Sequence, residues 1–152
     1  MKIRKALITE FGDASKVVVV DGEISAPLPN QVQVQVEFAG FSGADINMRR
    51  GTYPFQKKAP LTPGYCLVGK VQMNGAGSNK FEIGDRVGCL SVDGGEAELV
   101  NLPEQFLVRV PDGVDSQQVT CLILDWNMDG SGLAKERLFT GLVVPKKPLS
   151  LV

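Results

Sequence analysis

The chain has 152 residues, enough for one domain that buries about 70% of the surface its unfolded form exposes. Apolar residues make up 43% and charged residues 22%, with a net charge of -1, so neither nucleic acid nor an anionic membrane has an electrostatic claim on it. Histidine is absent, which removes the usual neutral-pH base, the Ser-His and Cys-His nucleophile pairs and the commonest zinc ligand.

In chain order, Ala6 to Thr9 and Val17 to Val20 are short β-branched or apolar runs that predict two leading strands, closed by the breaker Pro27-Leu28-Pro29-Asn30. Gln31 to Phe38 alternates strictly. Val32, Val34, Val36 and Phe38 belong to one face, and Gln31, Gln33, Gln35 and Glu37 to the other, the pattern of a half-buried strand. A short helix is predicted around Ser42 to Arg50.

Further strands are predicted at Leu67 to Gln72, Arg86 to Leu90, Ala97 to Asn101 and Leu107 to Val110, separated by turn-rich stretches such as Asn74-Gly75-Ala76-Gly77-Ser78-Asn79. Asp85-Arg86 is expected to form a local ion pair. A second helix is predicted from Ser116, read as an N-cap, into Val119, Leu122 and Ile123. The result is a mainly β fold, barrel or sandwich, with a few short helices. Residues 1–125 are expected to form this domain, with 126–152 as a divergent C-terminal tail. Cys66, Cys89 and Cys121 are odd in number and far apart, which predicts reduced thiols. No apolar run approaches the roughly 20 residues that span a bilayer, and a cytoplasmic protein is expected.

Five segments stand in fixed order: Phe41-Ser42-Gly43-Ala44-Asp45, Arg49-Arg50-Gly51-Thr52-Tyr53, Thr62-Pro63-Gly64-Tyr65-Cys66, Ile83-Gly84-Asp85-Arg86-Val87 and Gly94-Gly95-Glu96-Ala97-Glu98. This series resembles the GroES-like catalytic domain of the medium-chain dehydrogenase/reductase superfamily, closest to its zinc-free quinone oxidoreductase (zeta-crystallin-like) branch. The resemblance runs from about Met1 to about Asp125 and implies a GroES-like β-barrel.

It also implies NADPH as hydride donor, with the barrel orienting substrate and walling the cleft. A dinucleotide fingerprint would need a strand, a Gly-x-Gly-x-x-Gly turn and a helix. Gly75-Ala76-Gly77-Ser78-Asn79-Lys80 lacks the third glycine and precedes Phe81-Glu82-Ile83 rather than a helix, and the stretch from Trp126 to Val152 is shorter than one βαβ unit of about 30 residues. No Rossmann domain, and no cofactor held by this chain alone, is therefore expected.

Zinc relatives carry a cysteine ligand where Ser42 stands, a histidine ligand where Tyr65 stands and a relay hydroxyl where Ala44 stands, so no metal is expected. Zinc-free relatives carry asparagine where Ser42 stands and often tyrosine where Asn47 stands, both near nicotinamide and substrate. Ser42, Asp45, Asn47, Arg50, Tyr53, Tyr65 and Cys66 are the cleft candidates. Arg49 and Arg50 are suited to an anion and Tyr53 to a planar ring, Asp45 to a cap or ion pair, and Cys66 to a small buried group or a thiol in need of a cationic neighbour.

The function expected is that of a degenerate or partner-dependent quinone or enone reductase domain. Two alternatives stand beside it: a non-catalytic ligand- or protein-binding module, and a cofactor-independent isomerase or cyclase reusing the cleft. The expected partners are a small planar or conjugated carbonyl ligand and either a second copy or another protein on the face a cofactor domain would cover. Trp126, Leu133, Leu138, Phe139, Leu142, Val143 and Val144 are candidate covers for that face.

Overall fold

A computed structural model describes residues 1–126, with side chains to Ile123. Two antiparallel strands open the chain, β1 (Lys2–Ile8) and β2 (Val17–Glu23), paired from Lys2 opposite Glu23 to Ile8 opposite Val17. The strands that follow are β3 (Gln31–Gly40), β4 (Cys66–Asn74), β5 (Arg86–Leu90), β6 (Leu99–Pro103) and β7 (Val108–Arg109). They form one antiparallel sheet in the order β6-β3-β4-β5-β7. Isolated bridges at Lys5–Ala97 and Ile8–Leu61 fasten the leading hairpin to the loops of this sheet. The mainly β, GroES-like architecture is the one the sequence predicts.

β3 keeps its alternation only in part. Val32 and Val34 are fully buried, but so is Gln33, on the face expected to be wet. Its amide survives burial because Nε2 donates to Ser25 O at 3.2 Å and to Asn101 Oδ1 at 3.0 Å. Register shifts between Gln33 and Val34 and between Val36 and Phe38 also bend the strand, and a bulge redirects the side chains beyond it.

β4 is apolar on both faces because both are covered. Leu67 and Val71 join Val32, Val34, Phe81, Val87, Cys89, Leu102 and Leu107 in the main core. Cys66 and Val68 face the other way, into a second cluster with Val110, Val114, Val119 and Ile123. The second cluster lies under helix α2 (Ser116–Trp126).

The cap of α2 is one residue earlier than the sequence suggests. Asp115 Oδ1 accepts from the N–H groups of Gln117 and Gln118, while the Ser116 hydroxyl turns outward, accepting from Arg86 Nη2 at 2.8 Å and donating to Glu37 Oε2 at 3.1 Å. Both residue types cap well, and the carboxylate wins by satisfying two orphan donors. Arg86 therefore pairs with Glu37, and Asp85 with Arg109 at 2.6 Å; the local Asp85-Arg86 pair does not form. Strand residues next to each other in sequence point to opposite faces, so the partners come from across the sheet.

Ser116 lies beside Arg86, whose strand partner is Lys70, while Thr120 O approaches Cys66 Sγ at 3.8 Å. Helix α2 thus runs toward the Cys66 end of β4. The expected tail lies outside the described residues, apart from Trp126, which closes α2; the candidate covers Leu133, Leu138, Phe139, Leu142, Val143 and Val144 lie outside them too. Among the described residues no helix is long and apolar enough to cross a membrane.

Candidate functional site

Helix α1 (Gly43–Arg50) begins at Ser42, whose hydroxyl accepts from the Ala44 N–H, and ends at Gly51, which adopts the left-handed conformation that closes helices. Asp45 sits three residues past the cap and completes a capping box: Oδ2 accepts from the Ser42 N–H and from the Ser42 hydroxyl, each at 2.8 Å. Its other oxygen leaves the helix altogether. Oδ1 accepts from the N–H groups of Gly64 at 3.0 Å and Tyr65 at 3.1 Å, so one buried carboxylate holds both the start of α1 and a loop nineteen residues away.

The carbonyls of the same dipeptide are held from the other side. Gly64 O accepts from the Gly95 N–H and the Ser91 hydroxyl, and Tyr65 O accepts from the N–H groups of Ser91 and Val92. Glycine is required at 64. Its φ is +112°, and a Cβ there would stand 2.3 Å from the Glu96 nitrogen, backbone against backbone.

The loop after α1 joins this hub through its side chains. Gln56 donates to Met48 O and accepts from the Tyr53 N–H, and Lys57 pairs with Asp93 at 2.8 Å. The Tyr53 hydroxyl donates to the Tyr65 hydroxyl at 3.0 Å, with the rings edge to face, 5.7 Å apart and inclined at 70°. Both rings pack on the apolar cluster of Ile8, Met48 and Leu61. Burial first, then the bond to Tyr65, pushes the Tyr53 phenol up to about 12, so it stays protonated.

Four of the seven candidates, Ser42, Asp45, Tyr53 and Tyr65, thus meet at one place. Asn47 and Arg50 do not: they lie on the exposed side of α1, Arg50 at its far end, where a cation complements the helix dipole. Cys66 is fully buried against α2, and burial raises its thiol to about 11, which makes it a packing group rather than a cleft nucleophile.

Glu96 belongs to the site and was not among the candidates. Burial, then the charge of Asp45, raises its carboxyl to about 6, and its N–H donates to Pro63 O. The signal was its place in Gly94-Gly95-Glu96-Ala97-Glu98, next to glycines that turn the chain back toward residues 62–64. Two further features are invisible in sequence. Phe55 and Val92 carry left-handed backbone at φ 58° and 69°, costly for a bulky or β-branched residue, and both are exposed, as is Phe41.

Zinc does not fit these donors. The hydroxyl at Ser42 is engaged with Asp45 and Ala44, Tyr65 offers a phenol in place of imidazole, and Cys66 faces away. Among the described residues no group of three or more His, Cys, Asp or Glu is arranged to hold a metal ion. The Gly75 to Lys80 turn fits pyrophosphate no better. Its Gly75 N–H is spent on Gln31 O and its Ser78 N–H on Gly75 O, and even a Cβ at Gly75 would stand 2.1 Å from Leu28 O.

Antiparallel sheet, capped α1 and the loop crossing at Gly64-Tyr65 give the mainly β, GroES-like domain of the medium-chain dehydrogenase/reductase superfamily. The chain belongs to the alcohol dehydrogenase GroES-like domain family, whose profile matches residues 28–112. It is 30% identical over 114 residues to quinone oxidoreductase of Sus scrofa, covering 73% of this chain and 34% of that protein. The crystal structure of Pseudomonas syringae quinone oxidoreductase superposes with a TM-score of 0.75 at 30% identity, covering 80% of this chain and 38% of that one. Human synaptic vesicle membrane protein VAT-1 homolog-like protein gives 0.76 at 27% identity, covering 79% and 39%. The chain spans less than half the length of these relatives.

Proposed function

We propose that this chain is the substrate-side domain of a zinc-free, NADPH-using quinone or enone reductase, active only with a cofactor domain supplied from outside residues 1–126. The observation that carries the reading is the hub itself: a rigid loop crossing that presents phenol groups and exposed aromatics, suited to a flat conjugated carbonyl compound. Relatives named quinone oxidoreductase support the substrate class. The committed N–H groups of the Gly75 turn and the distance in sequence between this turn and any helix support a cofactor site elsewhere.

The test is NADPH oxidation followed at several quinone concentrations, together with equilibrium titration of the chain with each reagent. Saturable quinone binding without turnover and without micromolar NADPH binding is expected. Turnover by the chain alone overturns the partner dependence, and absence of quinone binding overturns the substrate class.

A second reading is favoured by Phe41, Phe55 and Val92, exposed apolar side chains next in sequence to hub residues or their loops. Such surface suits a protein partner or a second copy, in a module that binds without catalysis. Sedimentation velocity separates the two: a concentration-dependent dimer that Phe55→Ser abolishes supports an interaction surface, and a monomer at all concentrations removes self-association.

A further inference from the structure

We propose that the Tyr65 hydroxyl is the hydrogen-bond donor that seats the carbonyl oxygen of a conjugated ligand, with Tyr53 as the residue that sets the direction of its proton. The inference rests on the reading of the hub as a quinone or enone site and names the atom that meets the ligand.

Tyr65 is held at every polar main-chain atom. Its N–H is bound to Asp45, its C=O accepts from Ser91 and Val92, and its ring is wedged edge-on against Tyr53. A main chain bound at both its polar atoms holds the base of the side chain in one place, which is what a ligand-orienting group needs.

A phenol both donates and accepts. The two hydroxyl oxygens lie 3.0 Å apart, two protons cannot point at each other along that bond, and we assign the shared proton to Tyr53, whose phenol the bond helps keep protonated. The Tyr65 proton is therefore directed away from Tyr53 and remains for a third group. A ligand group that only accepts matches it: a quinone or enone oxygen fits, and an ammonium does not. Tyr53 acts through Tyr65 and is a positioning residue.

The probe is duroquinone, whose four ring methyl groups block addition of thiols, titrated into the full chain by calorimetry, with the carbonyl stretch of the bound quinone read by infrared difference. In the wild type the band is expected to shift to lower frequency than in water-free solvent. Tyr65→Phe is expected to weaken binding about fivefold to tenfold, the value of one neutral hydrogen bond, and to abolish that shift. Tyr53→Phe is expected to weaken binding about twofold to threefold and keep the shift. Both substitutions retain the rings that pack on Met48 and Leu61, and circular dichroism confirms the fold. An unshifted band in the wild type, or Tyr65→Phe with unchanged affinity and band, overturns the inference while the quinone-site reading stands. A wild type that does not bind duroquinone at all overturns both.

Discussion

Removing the Asp45 carboxylate tests the hub most directly. Asp45→Ala deletes four hydrogen bonds, at 2.8, 2.8, 3.0 and 3.1 Å. The two toward Ser42 are the carboxylate half of the capping box and a bond from the cap hydroxyl, together worth about 1 kcal/mol. The two toward Gly64 and Tyr65 matter more, because a donor left unpaired away from water costs about 1–3 kcal/mol. Allowing for water entering the space, the loss comes to about 3–5 kcal/mol, a large share of the 5–15 kcal/mol typical of a domain. At about 4 °C per kcal/mol for this size the thermal midpoint should fall by about 12–20 °C. Asp45→Asn keeps one acceptor oxygen but turns an amide N–H toward another donor, and should lose about half as much. Thermal and urea unfolding, followed by circular dichroism, supply the measurement. A fall below about 4 °C for the alanine variant, or an asparagine variant indistinguishable from wild type, would refute the claim that both oxygens hold the loops together.

Other outcomes follow from the same geometry. Glu96 is raised from the model-peptide value of 4.5 to about 6, so the folded state holds this proton more tightly than the unfolded chain. Its ionisation costs nothing below about pH 4.5 and destabilises increasingly up to about pH 6, after which the cost is constant at about 1–2 kcal/mol for a partly exposed group. Glu96→Gln should therefore raise the thermal midpoint near pH 7.5 and leave it unchanged near pH 4; equal shifts at both values would contradict the burial argument. Among the thiols, Cys121 is exposed whereas Cys66 is buried with its thiol near 11, so a disulfide reagent at pH 8 should modify Cys121 rapidly, and Cys66 only on unfolding. Mass spectrometry after brief labelling decides it, and early modification of Cys66 counts against its burial. Gly64→Ala places a Cβ against the Glu96 backbone at positive φ and should yield no folded protein; a cooperative melt close to wild type would show that the 91–96 loop yields easily.

How much of this was legible in the sequence depends on how local each signal is. The alternation of Val32 and Val34, the Ser42 start of α1 and the β5 span are short-range patterns, and they survive in the structure. Gln33 escaped because its burial is set by Ser25 and by Asn101 on a neighbouring strand, which no period-two pattern records. Asp45 was legible as a cap, since that bond spans three residues, but its second oxygen reaches Gly64 and Tyr65 through the fold. The Tyr53–Tyr65 bond joins two loop residues outside any periodic element. Residue types gave the candidates, and only the topology could separate Tyr65, at the hub, from its neighbour Cys66, whose side chain leaves the strand on the opposite face.

Because the Gly64-Tyr65 dipeptide is gripped by its main chain, the position of residue 65 does not depend on the side chain it carries. The loop works as a socket: Asp45 on one side and Ser91, Val92 and Gly95 on the other hold the same Cα–Cβ bond in place whatever is attached to it. A phenol stands there in this chain. The side chain at position 65 can thus be exchanged without refolding the loops that hold it.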